Sequence, residues 1–430
     1  MSNSIFFKFA TAFLVMAVLC SDASAFQVTD ANNESFENAD TKERQEQTAD
    51  DAKKDEAENT QAAEGSGSEA EPEEKELFDF TVEQEITCTP IRSQDRTGTC
   101  WCFAGTSFIE SELIRRSEGT LDLSEMFVVK NVYRDKALNY VLRHGKTNFG
   151  QGALAHDYLN AVGKYGVVPE EVFTGKTDGE SAHDHGEMEA MVKAMLDATI
   201  KRRTISPRWQ TATQGVLDVY LGEAPEKFQH EGRSYTPKEF AKFLEFNADD
   251  YISFTSYTHH PFHRPFVLEI PDNFSNGSFS NVPVDDLIQI IDGALDQGYS
   301  LMWDGDVSEA GFSAKKGMAI LPVEKKEDEA DDKDDEKEKE IVFDSPVEQM
   351  KVTQELRQKR FLSYATTDDH LMHLVGRVVD QNGTRYYMIK NSWGEIGVNK
   401  GYLYMSEAYV RLHTLAITLN KECVENQYLK

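Results

Sequence analysis

A thiol, an imidazole and two side-chain amides occur along this chain in an order that suits acyl transfer: Gln94, Cys100, His370 and Asn391. Cys100 lies in Gly98-Thr99-Cys100-Trp101, with Gln94 six residues upstream. His370 opens the apolar stretch His370 to Gly376, and Asn391 opens Asn391-Ser392-Trp393-Gly394. A thiolate can attack a carbonyl carbon and hold the acyl group. An imidazole, whose pKa lies near working pH, can take the thiol proton and later return it. A side-chain amide can orient that imidazole without titrating, and a tryptophan beside it can shield the bond from water.

Position matters as much as residue type. Gly98-Thr99 interrupts the chain just before a helical pattern, which places Cys100 in the first turn of a helix. The positive end of a helix lowers a thiol pKa, and its free N–H groups can face a developing oxyanion. Gln94 can add a second donor there. Free cysteines are more often small buried apolar residues, and that reading fits Cys102, which points to another side of the helix. His373 competes with His370, but strand alternation sends the two rings to opposite faces, so only one can serve the site.

The elements that must position these groups are partly legible. Helical spacing runs from Cys100 to Arg115-Arg116, again from Ala153 to Tyr165 before Gly166, and from Asp285 to Leu295 after Pro283. Leu374–Val379 and Arg385–Ile389 flank Asp380-Gln381-Asn382-Gly383, a strong hairpin signal that brings Asn391 back towards His370. Helices early and strands late predict an α+β fold with segregated layers.

The pattern Gln94-x5-Cys100-Trp101, His370-x5-Gly376 and Lys390-Asn391-Ser392-Trp393-Gly394 resembles the papain-like cysteine peptidases. More narrowly, it is similar to the bleomycin hydrolase and aminopeptidase C branch. The 270-residue gap between Cys100 and His370 fits that branch, as do Ser124-Glu125, Tyr165 to Pro169, Ser256 to Pro261 and Gly401-Tyr402. The resemblance covers about 78–421. It implies a papain-like fold with insertions: a helical layer bearing the cysteine and an antiparallel β layer bearing His370 and Asn391. It also implies hydrolysis of peptides through an acyl-enzyme on Cys100, with His370 as base and then acid, Asn391 orienting it and Gln94 in the oxyanion hole. Gly150 and Gly152 resemble the glycines that line the family's substrate cleft. The family's C-terminal arm enters that cleft and captures the substrate amine, and its members assemble into homo-oligomers. The stretch after Lys421 is expected to be too short for that arm. Three readings therefore stand: an aminopeptidase, an endopeptidase or dipeptide-releasing enzyme, and a silent peptide-binding protein on a peptidase fold. Thr97 stands where many secreted relatives carry a disulfide cysteine.

At 430 residues and 40% hydrophobic content the chain can bury a large core. Its net charge of −30 excludes a nucleic-acid binder, which needs a basic face. Residues 26–76 hold 17 acidic against 5 basic side chains and residues 324–340 hold 11 against 5, so these two segments account for −18 of the charge. The first reads as a disordered acidic linker and the second as an exposed loop insertion within a peptidase domain spanning 77–430. Residues 1–25 read as a signal peptide: Lys8, the apolar run Phe9 to Cys20, and Ala23-Ser24-Ala25 as a cleavage site. The protein is therefore expected to be secreted or periplasmic, with no membrane-spanning segment once the signal is removed. A lipid anchor on Cys20 fits less well, because bulky Val18 and Leu19 precede it. Four cysteines then remain, and Cys88–Cys423 is one conceivable bridge.

No metal or other cofactor is expected. Pro261 prevents the helix that would align His259 with His263, and no cysteine or acidic ligand is expected close by. Asp304-Gly305-Asp306 begins like a calcium loop, but Glu309 replaces its glycine and Lys315 its final glutamate.

Overall fold

The computed structural model describes residues 77–117, 119–177, 179–323 and 341–429. The expected signal peptide, acidic linker and acidic loop lie outside these residues. Strand β1 (Thr81–Glu85) leads into helix α1 (Cys100–Arg115), α2 (Glu125–Leu142), α3 (Ala155–Tyr165), α4 (Gly186–Ile200) and α5 (Arg208–Leu221). A small hairpin, β2 (Phe228–His230) and β3 (Arg233–Tyr235), precedes α6 (Pro237–Phe243). Strands β4 (Tyr251–Thr255), β5 (Pro265–Val267) and β6 (Ser278–Asn281) are followed by α7 (Val284–Asp296). Then come β7 (Leu301–Gly305), β8 (Phe312–Ser313), β9 (Met318–Ala319) and α8 (Gln354–Leu362). The chain closes with β10 (His370–Val379), β11 (Arg385–Lys390), β12 (Tyr402–Ser406), α9 (Glu407–His413) and β13 (Thr414–Asn420).

The three expected helices are present with ends shifted by no more than two residues, and so is the hairpin, whose first strand begins four residues earlier, at His370. Gly166 closes α3 at φ 86°, and Gly383 turns the β10–β11 hairpin at φ 83°, both in the left-handed region open to glycine. One 11-stranded sheet runs in the order β5-β6-β4-β13-β7-β10-β11-β12-β9-β8, with β1 added along β10. Its central ladders are antiparallel, whereas β4–β6 and β9–β12 are parallel.

Strand alternation divides two cores across this sheet. Met302 and Leu371 face the layer formed by α1 to α5, joining Phe108, Leu113, Val132 and Tyr158. Leu301, Trp303, Met372 and Leu374 face the other way, against Leu287, Ile291 and Leu295 of α7. At Gly105 a Cβ would lie 2.6 Å from the Tyr158 ring, so its missing side chain sets how closely α1 and α3 approach. No described helix is long and apolar enough to cross a membrane.

The four described cysteines are free. Cys88 faces the Tyr402 hydroxyl at 3.4 Å, while the Cys423 thiol donates to Asn420 O, so the conceivable bridge between them is not formed. Residues 421–429 lie along α7, with Gln297 donating to Cys423 O and the Tyr428 hydroxyl meeting Gln289.

Gly376 is fixed by close approach: a Cβ there would lie 2.5 Å from Gln84 O, where β1 crosses β10. Gly376→Ala is therefore expected to cost about 1–3 kcal/mol through overpacking. A lower urea midpoint at unchanged slope is the measurement that reads it.

Candidate active site

Cys100 is the first residue of α1. Thr99 gives the helix no side-chain cap, because its hydroxyl is engaged with Thr97 Oγ1 at 2.6 Å. The positive end of the helix therefore falls on Cys100. Burial pushes the thiol up, to about 12, against a hydrogen bond from the Leu371 backbone that pulls it down. Cys102 is fully buried and donates to Glu125 O at 3.2 Å, which suits the inert role expected of it.

His370 opens β10 and is 4% exposed. Its Nε2 lies 2.8 Å from Asn391 Oδ1. That oxygen also accepts from Ser392 N at 2.7 Å, which fixes the orientation of the amide. Nε2 is thus the protonated nitrogen, and Nδ1 holds the lone pair of a base. The Trp393 ring stacks on the imidazole at 4.7 Å and covers this bond. Burial holds His370 down, to about 4, while Asn391 and Asp369 pull it up. A lone thiolate or a lone imidazolium is therefore costly here. Proton transfer from thiol to imidazole forms both charges together, each stabilising the other.

His373 points the opposite way, as expected. It is fully buried in the helical-layer core, with Nδ1 2.9 Å from Ser107 Oγ.

Gln94 is stitched directly to the asparagine motif. Its backbone N–H donates to Ser392 O at 2.8 Å, and Ser392 Oγ donates to Gln94 Oε1 at 2.7 Å. This bond sets the amide so that Nε2 donates to Thr97 O at 2.5 Å. One N–H of Nε2 is thereby used, and one remains for a substrate oxyanion.

The glycine segment contributes through the residue between the two named glycines. Gln151 accepts from Gly98 N at 2.7 Å through its side chain and from Trp101 Nε1 at 2.9 Å through its carbonyl. It anchors the loop that presents Cys100. Gly152 lies under the Asp272 carboxylate and accepts from the Lys136 ammonium, while Gly150 stands near Glu189.

Sequence reasoning missed a group of carboxyls beside the thiol. Asp304 sits opposite Leu371 in the β7–β10 ladder, and Asp368 lies two residues before His370. Together with Asp272 they place negative charge on the Cys100 side of the sheet. The Asp368-Asp369 pair before His370 was the available signal. Asp304 was legible only as part of a failed calcium loop.

One expectation about metals needs correction. An acidic residue does approach His259 and His260, because Glu269 meets their Nε2 atoms at 3.2 and 2.8 Å. The loop carrying β5 folds back and closes that gap, which linear spacing could not show. Gln358 accepts from Thr258 N through Oε1 and turns Nε2 to His259 Nδ1, so His259 keeps its Nε2 proton for Glu269 rather than a lone pair for a metal. Asp306, Glu309 and His413 form a second such group, in which Glu309 already binds the Arg360 guanidinium.

The profile of the Peptidase C1-like family matches residues 124–430, a span that includes His370 and Asn391. This chain belongs to the Peptidase C1-like family. Aminopeptidase G of Lactobacillus delbrueckii subsp. lactis is 23% identical over 379 residues, covering 79% of this chain and 82% of its own. Bleomycin hydrolase of Homo sapiens is 22% identical, covering 82% and 84%. The crystal structure of PepW from Lactobacillus rhamnosis HN001 superposes with a TM-score of 0.64 at 17% identity, covering 81% and 84% of the two chains. The α+β fold is papain-like, and the protein is a cysteine-type peptidase.

Two outcomes follow from this geometry. Asn391→Ala frees the imidazole and is expected to lower kcat/KM by about 10²-fold, the lower end of what acid–base catalysis supplies. Steady-state kinetics on a peptide arylamide checks it. The second concerns pH. Burial holds Asp304 up, to about 8, and Asp306 up, to about 7. The folded protein thus keeps protons that an unfolded chain releases above about 4. Stability therefore falls as pH rises through that window. The buried histidines, held down at about 4, act in the opposite direction only below their unfolded value of about 6.5. Above about pH 6.5 the histidine contribution fades while the raised carboxyls still titrate, so the urea midpoint is expected to fall towards pH 8, and Asp304→Asn to flatten that fall.

Proposed function

We propose that this peptidase removes single residues from the N-termini of peptides, through a thioester on Cys100. His370 Nδ1 takes the thiol proton as Sγ adds to the scissile carbonyl carbon. The backbone N–H of Cys100 and the spare N–H of Gln94 hold the oxyanion. As the tetrahedral species collapses, the C–N bond breaks and His370 returns the proton to the leaving amine. Water, deprotonated by the same imidazole, then hydrolyses the thioester and releases the amino acid with its carboxylate. Asn391 keeps the ring in the required tautomer throughout.

The observation behind this reading is the single hydrogen-bonded network that joins Gln94, Ser392, Asn391 and His370 beside the helix headed by Cys100. The exopeptidase mode is supported by relatives that carry the names aminopeptidase G and aminopeptidase W. An endopeptidase is the second reading. It is favoured by residues 421–429, which lie along α7 on the other face of the sheet rather than across the cleft. Export is proposed on the charged, apolar and small-residue pattern of residues 1–25, and N-terminal sequencing of the mature protein reads it directly.

Matched arylamide substrates with free and acetylated amines separate the two modes. The free-amine substrate is expected to be cleaved at least tenfold faster, and Cys100→Ala to abolish both activities. A preference for the acetylated substrate would overturn the exopeptidase reading and favour the endopeptidase.

A further inference from the structure

An enzyme that removes one residue at a time must recognise a free α-ammonium, and it must do so next to the nucleophile. The amine and the scissile carbonyl share one Cα, so they lie only about 2.5 Å apart. Any group that binds this cation therefore abuts the thiol. A positive charge at the end of a lysine side chain carries no such constraint.

The groups around Cys100 meet that demand. Asp304 is 4% exposed and lies on the face of β7 shared by Met302, towards the helical layer. Its ladder partner Leu371 is the residue whose backbone bonds the thiol. Asp304 Oδ2 is buried with no hydrogen-bond partner, and so is Asp368 Oδ2. Two buried carboxyl oxygens without a hydrogen-bond partner beside a nucleophile require an explanation, because an unsatisfied buried acceptor is costly. Lys136, an ammonium of the helical layer, donates to Gly152 O and faces Asp272, Asp157 and Glu189 before Asp368. Asp272 in turn takes Asn148 Nδ2 at 2.9 Å. Asp272 thus has resident partners, while Asp304 and Asp368 mainly have each other. Burial holds both carboxyls up, Asp272 repels both and Asp304 repels Asp368, so the pair keeps a proton that an arriving cation replaces.

We infer that Asp304 and Asp368 form a cation subsite beside Cys100 that holds the free α-ammonium of the substrate's first residue. The inference rests on the peptidase chemistry proposed above and names the residues that confer its exopeptidase mode. It places amine recognition on β7 and the approach to β10, while residues 421–429 pack along α7. Asp304 and Asp368 act here as specificity determinants, because neither exchanges a proton with the reacting carbonyl.

The test compares wild type with Asp304→Asn and Asp368→Asn, both near-isosteric, on leucine arylamide and its N-acetyl counterpart. Iodoacetamide alkylation of Cys100 is measured in each protein, because it reads the Cys–His pair and the fold without an ammonium. Each variant is expected to lower the free-amine to acetylated ratio of kcat/KM at least tenfold, with alkylation no slower than about half the wild-type rate, since loss of a carboxylate eases thiolate formation. An unchanged ratio in both variants, with alkylation intact, overturns the subsite. A further pair of substrates, acetyl-Lys-Leu and acetyl-norleucyl-Leu arylamide, tests the other source of a cation. A tenfold preference for the lysine substrate that Asp304→Asn abolishes would assign the pair to a side chain and overturn the α-ammonium. Wild type that cleaves nothing, and alkylates no faster than a free thiol, would instead remove the peptidase reading and this inference with it.

Discussion

The catalytic layers are held together by a buried polar seam between α1 and the β10–β11 hairpin. Lys390, 5% exposed, donates its ammonium to Thr89 Oγ1 at 3.1 Å and to Ser107 Oγ at 2.7 Å. Ser107 meets His373, and Thr89 donates to Glu110, whose other oxygen accepts from Leu123 N. A buried ammonium deprived of its acceptors is among the most costly changes a core can undergo. This seam therefore resists sliding more strongly than the apolar contacts around it. It matters because Lys390 directly precedes Asn391, and Ser107 lies two turns along the helix that Cys100 heads. Fixing Lys390 to Ser107 fixes the relation of the amide to the thiol. His373 thus serves the site indirectly, as one end of the clamp.

The same constraint explains why one imidazole stands with Asn391 and the other against Ser107. A register slip of one residue along β10 would exchange the faces of His370 and His373. The hydrogen-bonded pairing of β10 with β7 and the close crossing of β1 over Gly376 both oppose such a slip. Beyond the last β11 pair, at His373↔Lys390, His370 is flanked in the sheet by Gly305 alone. The ring thus stands at the end of the strand, beyond the β11 pairing.

Local signals made the helix carrying Cys100, the hairpin and the Cys-His-Asn order legible, because each depends on residues close together in sequence. Gly98-Thr99 and Arg115-Arg116 bound one helix, and Asp380 to Gly383 mark one turn. The sheet order was not legible. Strand β13 inserts between β4 and β7, a choice made by packing between segments more than a hundred residues apart. The group of carboxyls near Cys100 was hidden for the same reason. Asp304 comes from a central strand, Asp272 from a loop before β6 and Asp368 from the approach to β10, so no spacing rule unites them. Glu269 closing on His259 and His260 is a smaller instance. Gln151 shows the complementary failure: the flanking glycines drew attention, but the side chain between them does the anchoring.

The carboxyls also pose an electrostatic problem that bears on how the thiol is activated. Asp304, Asp272 and Asp368 all oppose a negative charge on Cys100, adding to the effect of burial. The helix N-terminus and His370 must work against them. In a medium of low effective dielectric, one unit charge at about 4 Å is felt as several kcal/mol, so these terms are comparable in size. A substrate ammonium lodged between Asp304 and Asp368 would reverse the local sign just where the thiolate must form. Binding would then do more than position the carbonyl. It would cancel the charges that hold the thiol protonated, and so make the nucleophile available when a peptide with a free N-terminus is in place. A cleft that disfavours thiolate when empty and favours it when filled protects Cys100 from adventitious electrophiles. Under this reading the amine that selects the substrate also supplies part of the driving force for its cleavage.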